Sequence, residues 1–347
     1  RYGYEYPKMC PSARGWQAHM AKVARETVGQ AGLDGIYLDS VGAWVSQVCG
    51  NRRHHPHAER GSWQRGIAEM FTRVRSELDA VNPEAILYAE APSTDYLLQF
   101  MDASFWGGGG AADRDADMDH GMAGLIRFLV PAHKLWTLEF GPKTILAGVG
   151  SCREGDKDWS ARAEFVACVH DAQRENADAY ESGAAEPLIP TLRRTVYANC
   201  FRGPEKAIYT IYNGDYVTAR GELVCLPRLE NTHYVDLHSW CEVPVRTAGG
   251  RDYLSLTLVP KTAVAIGRFP RALRVGRTGS GGRMASIARD PAGHRLELWV
   301  LRHGRVRRKA LRLLKDGTAA VPAGKERGLR RALKLYAGDR LVDMAES

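Results

Sequence analysis

Two carboxylates end short apolar segments in the first third of this 347-residue chain. Asp39 ends "GLDGIYLD" and Glu90 ends "AILYAE". Aspartate is a poor strand residue, and burying a carboxylate is costly unless something uses it. Catalytic groups of a β/α barrel follow the carboxyl ends of its parallel strands, so the two acids are candidates for the nucleophile and the general acid/base of a retaining glycosidase. The alternative for each acid is a helix cap or an ion pair with a nearby arginine.

Other acids compete with this pair. Glu139 ends the apolar run "LWTLE" and is the rival partner for Asp39, whereas Asp102 lies inside "FMDASFW" and is a lesser candidate. The acids of "ADRDADMDH" alternate as in a calcium loop, but the central glycine and the glutamate at position 12 are missing. We therefore interpret that run as a solvated loop.

Aromatic and imidazole side chains accompany the two acids. Aromatic faces stack on the CH groups of sugars, and imidazoles hydrogen-bond to hydroxyls. The predicted sugar-contacting residues are Trp44, His55, His57, Trp63 and Trp106. The alternatives are a metal site at the histidines, for which a clear third ligand is missing, and ordinary core packing of Trp106. Neither a metal nor a cofactor is predicted, and the run Gly107–Gly110 lacks the spacing of a nucleotide-binding loop.

Helix and strand signals alternate up to about residue 195. Apolar residues recur at helical spacing after Ser12, a possible cap, until Gly32, and again in "GSWQRGIAEMFTRVRSELDAVNP" and in "DWSARAEFVACVHDAQRENADAY". The apolar segments "GIYLD" and "AILYAE" lie between helical patterns, and "YLLQFMDASFW" supplies a further helix and strand. This order is typical of a parallel sheet covered by helices.

The pattern after residue 200 is one of alternating strands. "KAIYTIYNGDYVTARGELVCLP" contains an Asn-Gly turn, and "HYVDLHSWCEVPV" and "YLSLTLVPKTAVAIGRF" follow. We expect an antiparallel β domain there, and then a basic β-rich segment that ends in a helix-like "KERGLRRALKLY".

The net charge of +8 is concentrated near the end of the chain. From Pro270 onward there are 19 Lys and Arg against 7 Asp and Glu. Because the arginines alternate with apolar residues, we favour a solvated face of a small β domain over a nucleic-acid site. The seven cysteines form no C-x-x-C pair, which argues against a disulfide scaffold or a zinc site. We expect no membrane partner, because no run approaches the roughly 20 apolar residues of a membrane span. The localisation is left open.

Several segments resemble a known family. "MCPSARGWQ", "GLDGIYLDSVG", "HPHAERGSWQRG" and "AILYAEAPSTDYLLQFMDASF" resemble the middle of the catalytic barrel of bacterial glycoside-hydrolase-like proteins known mainly as a domain of unknown function. That group is distantly similar to endo-α-N-acetylgalactosaminidases and to the α-amylase superfamily. The resemblance covers residues 9–106, and residues 205–268 are similar to the β-sandwich that follows such barrels.

This resemblance implies roles for the two acids. Asp39 matches the nucleophile that ends the fourth barrel strand, and Glu90 matches the acid/base that ends the fifth. The family places three barrel strands before the segment that begins at Met9, where only eight residues stand in this chain. The spacing between the two acids also exceeds what is usual in α-amylases.

The sequence thus predicts an α/β fold with a (β/α)8 TIM-type barrel, N-terminally incomplete, followed by an antiparallel β-sandwich. The expected domains are the barrel over 1–198, the β-sandwich over 199–270 and the basic segment over 271–347. The expected activity is retaining hydrolysis of an oligo- or polysaccharide, with the carbohydrate as partner and no nucleic acid. The alternative is a non-catalytic carbohydrate-binding or remnant barrel protein, and nucleic-acid binding through the basic tail is a third hypothesis.

Overall fold

The computed structural model forms two compact units, Arg1–Glu139 and Phe140–Ser347, which are considered one at a time. The residues that the structure describes are 9–39, 62–90, 95–106, 122–137, 141–151, 159–278, 282–288, 290–302, 305–322 and 329–347. Glu139, the acidic run 112–120, Trp44, His55 and His57 lie outside them. The domain boundaries predicted at 198/199 and 270/271 stay predictions.

The first unit alternates helices and strands as predicted. Its elements are α1 (Arg14–Ala31), β1 (Gly35–Leu38), α2 (Ser62–Val81), β2 (Ile86–Glu90), a 3-10 helix (Asp95–Phe100), β3 (Ala103–Trp106), α3 (Met122–Leu129) and β4 (Lys134–Thr137). The four strands are parallel and hydrogen-bonded in chain order. A parallel α/β architecture is therefore confirmed for this unit.

One face of this sheet is covered by α1 and α2. Leu38, Leu87 and Ala89 point to that face and are buried together with Phe71 and Val74 of α2. The two helices are amphipathic, so that their apolar stripes and the strands share one core. Ile36 also packs on that side, whereas Tyr37 of β1 and Ile86, Tyr88 and Glu90 of β2 point to the opposite face, because side chains alternate along a strand.

The C-terminus of α1 agrees with the sequence prediction, but its N-terminus does not. Gly32 ends the helix as expected, with a φ of 65° and its N–H bonded to the carbonyl of Val28. Such a left-handed conformation favours glycine, because other residues meet a Cβ clash there. The N-cap, however, is Ala13, which has no side-chain capping bond, so the capping role predicted for Ser12 is wrong.

The sequence predicts an N-terminally incomplete (β/α)8 barrel, and the described part of the chain forms no closed barrel. A (β/α)8 barrel needs eight tilted parallel strands to close. In the first unit the described residues supply β1 to β4, which form an open sheet in which β1 has β2 as its only partner. The first unit is thus an α/β unit with parallel strands.

The second unit begins with three helices and continues as β structure. The helices are α4 (Pro142–Ala147), α5 (Trp159–Glu175) and α6 (Ala177–Tyr180). The first strands are β5 (Gly150–Ser151), β6 (Ala185–Glu186), β7 (Val196–Arg202), β8 (Ala207–Asn213), β9 (Ala219–Pro227), β10 (Thr232–Asp236), β11 (Val245–Ala248), β12 (Arg251–Leu258) and β13 (Ala263–Pro270). Two antiparallel sheets, β10-β13-β8-β7-β6 and β11-β12-β9, share one apolar core, which is the expected sandwich arrangement.

A second pair of antiparallel sheets follows. Its strands are β14 (Leu273–Arg277), β15 (Arg283–Ile287), β16 (His294–Arg302), β17 (Arg305–Leu311), β18 (Thr318–Val321), β19 (Arg330–Ala337) and β20 (Arg340–Glu346). The sheets β14-β15-β18 and β17-β16-β19-β20 enclose a separate apolar core. We call residues 271–347 the terminal sandwich.

The segment "KERGLRRALKLY" is predicted as helix-like, but the part of it that the structure describes, from Leu329 onward, belongs to β19 (Arg330–Ala337). Leu333 and Leu335 alternate into the core of the terminal sandwich, and β19 lies between β16 and β20. Pairing on both edges thus overrides the helical propensity of Arg, Ala, Leu and Lys.

None of the helices in the described part of the chain is both long and apolar enough to span a membrane.

Candidate functional site

The two predicted acids lie at the same edge of the first sheet. Leu38 is in register with Ala89, and Asp39 and Glu90 directly follow these two residues. Since adjacent strands are about 4.8 Å apart, the backbones of the two acids are neighbours at the carboxyl end of the sheet. Alternation also directs both side chains to the face away from α1 and α2.

That face carries aromatic rings beneath the acids. Tyr37 and Tyr88 are in register, as are Phe105 and Trp136. The ring of Tyr37 lies 4.8 Å from that of Tyr88 and packs edge-on against Phe105 at 5.8 Å, and Tyr88 meets Trp136 edge-on at 5.5 Å. Trp136 is 37% exposed. The four residues form an aromatic floor, which we define as Tyr37, Tyr88, Phe105 and Trp136.

Tyr37 connects the floor to both acids. Its hydroxyl donates a hydrogen bond to Oδ1 of Asp39 over 3.3 Å. Burial, followed by the negative charges of Glu90 and Asp39, raises the pKa of Tyr37 far above its usual value. The phenol therefore stays protonated at physiological pH and remains a donor. Both carboxylates therefore lie close enough to this hydroxyl to act on it electrostatically.

The two acids differ in their environment. Asp39 is exposed, whereas Glu90 is half-buried as the last residue of β2. Two nearby carboxylates in unlike surroundings are the requirement for one ionised group and one proton-carrying group. Neighbouring strands suit the roughly 5–5.5 Å between the carboxyl groups of a retaining pair.

Asp102 is placed elsewhere and has a structural role. It precedes β3, at the opposite edge of the sheet from Asp39, and forms an ion pair with Arg75 of α2. Its Oδ2 also accepts a hydrogen bond from the backbone N–H of Leu87 over 2.8 Å. These contacts tie α2 to the start of β2. The rival acid Glu139 is outside the described residues.

Of the five predicted sugar-contacting residues, the structure describes the side chain of Trp63 alone. Trp63 is half-buried and packs against the core shared by α1, α2 and the sheet. The backbone of Trp106 ends β3, but its side chain is outside the described part, as are Trp44, His55 and His57. A sugar-contacting role stays a prediction for all five.

Sequence reasoning overlooked the aromatic floor. A signal was present, because each acid has a tyrosine two positions before it, in "YLD" and "YAE". Residues two apart on a strand share a face, so this repeat places each phenol beneath its acid. Phe105 and Trp136 could be added only with the strand register in hand.

Ser104 and His133 are in contact and are residue types that can catalyse reactions, but they do not form a catalytic site. The hydroxyl of Ser104 lies 2.5 Å from Nε2 of His133, but both side chains are buried on the helix-covered side of the sheet. Burial lowers the pKa of His133, which keeps the imidazole neutral. The contact is therefore part of the core. No cluster of three or more potential metal ligands occurs among the described residues.

Residues 3–121 match a family described as Domain of unknown function (DUF6259), which covers about a third of the chain. No curated protein matches the sequence. The similarity to endo-α-N-acetylgalactosaminidases expected from the sequence stays a prediction.

Several solved structures are distantly similar. An Anoxybacillus α-amylase has 12% identity and a TM-score of 0.49, over 76% of this chain and 65% of that one. The α-amylase from H. orenii has 11% identity and a TM-score of 0.48, over 74% and 64%. A cyclomaltodextrinase has 15% identity and a TM-score of 0.48, over 77% and 51%. The chain thus spans from half to two thirds of these enzymes, and scores of this size do not establish an activity.

Proposed function

We propose that the protein is a retaining glycoside hydrolase in which Asp39 is the nucleophile and Glu90 is the general acid/base. The observation that carries this proposal is the position of the two acids on adjacent parallel strands, at one edge and on one face, with both charges acting on the hydroxyl of Tyr37. An ion pair or a helix cap would explain one such acid, but it would not require the second beside it.

The proposed reaction has two steps. A carboxylate oxygen of Asp39 attacks the anomeric carbon while Glu90 transfers its proton to the departing glycosidic oxygen, so the C–O bond of the substrate breaks as the bond to Asp39 forms. Glu90, now ionised, then takes a proton from water, whose oxygen displaces Asp39 from the same carbon. Two displacements return the original anomeric configuration.

Tyr37 holds the nucleophile in this proposal. Its hydrogen bond fixes one oxygen of Asp39 and leaves the other for attack. The exposed part of Trp136 provides an apolar surface on the same face, against which CH groups of a sugar ring can pack.

The test is hydrolysis of a panel of α- and β-aryl glycosides by the wild type and by Asp39→Asn and Glu90→Gln. Each substitution is expected to lower kcat on the best substrate by at least about a hundredfold. The matched controls are Asp34→Asn and Glu84→Gln, since both acids are exposed and lie at the opposite edge of the same two strands. Both controls are expected to turn over at the wild-type rate.

Three results would count against the proposal. Wild-type turnover by either active-site variant would remove that acid from the mechanism. An equal loss in the controls would show that the assay reports folding. A wild type that hydrolyses none of the glycosides would contradict the activity itself.

The second candidate function is non-catalytic carbohydrate binding. The observation in its favour is the open sheet of the first unit, in which the described strands do not close into a barrel. This function predicts that a polysaccharide retards the wild type in affinity electrophoresis without being hydrolysed. The Asp39 and Glu90 variants would then bind about as well as the wild type.

A further inference from the structure

One end of the terminal sandwich is lined with arginines. Arg277 of β14 is in register with Arg283, the first residue of β15. Burial, followed by the positive charge of Arg283, lowers the pKa of Arg331 in β19. Arg307 of β17 belongs to the same sheet as Arg331. Both residues are in register with Val300 of β16 and lie on either side of it.

Alternation places these four arginines on the inner faces of the two sheets. Val275 and Ala285 point into the core, so Arg277 and Arg283, each two residues away, point the same way. Leu333 and Leu311 likewise direct Arg331 and Arg307 inward. We define Arg277, Arg283, Arg307 and Arg331 as the arginine rim.

The rim lies at a single end of the sandwich. Arg331 donates a hydrogen bond to the carbonyl of Pro322, which follows the last residue of β18, and that residue, Val321, is in register with Arg283. The side chain of Arg331 therefore links the two sheets at this end.

Among the residues that the structure describes, acidic side chains do not balance the rim. Asp290, Asp316 and Asp339 lie in the turns at the opposite end, after β15, after β17 and after β19. Glu346 is near the rim along β20, but it alternates with Ala345, which packs against the core, and so it points to the outer face. Within the described residues, no ion pair involves an arginine of the rim. Other basic residues of the second unit do have acidic partners, such as Arg308 with Asp171 at 3.0 Å and Lys334 with Glu175 at 2.7 Å.

We propose that the arginine rim is a binding site for an acidic polysaccharide that carries sulfate or carboxylate groups. Guanidinium groups bind these planar or tetrahedral oxyanions through paired N–H donors, and several arginines held together suit a chain with repeated charges. Adjacent guanidinium groups repel one another until an anion lies between them. The inference does not depend on the proposed glycosidase activity.

The burial of the aromatic residues in the terminal sandwich argues against a nucleic acid as the ligand. Binding of single strands relies on exposed aromatic faces on which bases stack. Residues 271–347 contain Trp299 and Tyr336 as their aromatic side chains, and both are buried. The rim therefore offers charge without stacking surfaces, which fits a sugar polymer.

The test measures binding of a fluorescent heparin oligosaccharide and of polygalacturonate to the full chain over a series of salt concentrations. The rim variant is Arg277→Gln combined with Arg283→Gln, because both side chains are exposed and their loss leaves the core intact. The control is Lys315→Gln combined with Arg340→Gln, which removes the same charge from exposed positions away from the rim. Circular dichroism melts verify that both variants fold.

We expect the rim variant to bind heparin about tenfold more weakly and to reduce the slope of log K against log salt by about one per arginine, while the control stays within about twofold of the wild type. Equal losses in the two variants would show that net charge alone acts and would overturn the proposal. Absence of binding of both polysaccharides at physiological ionic strength would also overturn it. If a single-stranded DNA oligomer bound more tightly than heparin and displaced it, the ligand would be a nucleic acid and our assignment would be refuted.

Discussion

Removing the hydroxyl of Tyr37 is the perturbation with the sharpest expected result. Tyr37→Phe keeps the ring, and so preserves its contacts with Tyr88 and Phe105, but it deletes the hydrogen bond to Asp39. The melting temperature should therefore stay close to that of the wild type. The nucleophile loses its positioning contact.

The size of the effect follows from the length of this bond. A hydrogen bond to a charged group contributes about 1.5–3 kcal/mol. The 3.3 Å between the two oxygens exceeds the usual range for O–H···O bonds, which places this one at the low end. About 1.5 kcal/mol corresponds to a loss of about tenfold in kcat.

The assay is the measurement of kcat and KM on the best aryl glycoside. Tyr88→Phe is the matched control, since it deletes a phenol hydroxyl from the same floor without a hydrogen bond to Asp39, and we expect less than about twofold change from it. If Tyr37→Phe retained the wild-type kcat, the positioning role would be refuted while the carboxylate pair would stand. A wild type without activity would refute both.

Three further predictions concern stability. Asp102→Ala should lower the free energy of unfolding by about 1–2 kcal/mol in urea, because Arg75 and a backbone N–H lose their acceptor; an unchanged midpoint would contradict that role. Glu175→Ala should cost about 3–5 kcal/mol, because it leaves the buried Lys334 ammonium without its carboxylate, and a cost below about 1 kcal/mol would show that water reaches it. Burial lowers the pKa of His238 in the folded state. As the pH falls below about 6.5, the unfolded state therefore binds more protons than the folded state, and the free energy of unfolding decreases. His238→Leu should therefore raise Tm more at about pH 5.5 than at pH 8, and an equal shift at both would refute the linkage.

The sequence predicts the elements of the first unit because their signals are local. Asp39 and Glu90 each end an apolar strand, and alternation with helices is enough to place both at one edge of a parallel sheet. The hydrogen bond from Tyr37 and the ring contacts of Phe105 depend on the register between strands, which no local pattern contains.

The terminal sandwich shows where local patterns mislead. Lys334 stands in a basic segment with helical propensity and would be expected in water. It is instead buried in β19, beside Glu175, which lies 159 residues earlier in the chain. Only a partner supplied by tertiary structure makes such burial tolerable. The position of Arg277, Arg283 and Arg331 at one end likewise follows from sheet pairing and not from spacing.

The most direct test of the central claim is to trap the covalent intermediate. With a dinitrophenyl glycoside, the leaving group needs no proton, so Glu90→Gln should still form the glycosyl-enzyme but hydrolyse it slowly for lack of the base. We predict that the mass of this variant rises by one glycosyl unit and that the modified peptide carries the sugar on Asp39. A sugar attached to any other residue, or hydrolysis by the wild type without a trappable adduct in the variant, would contradict the assignment of Asp39 and Glu90.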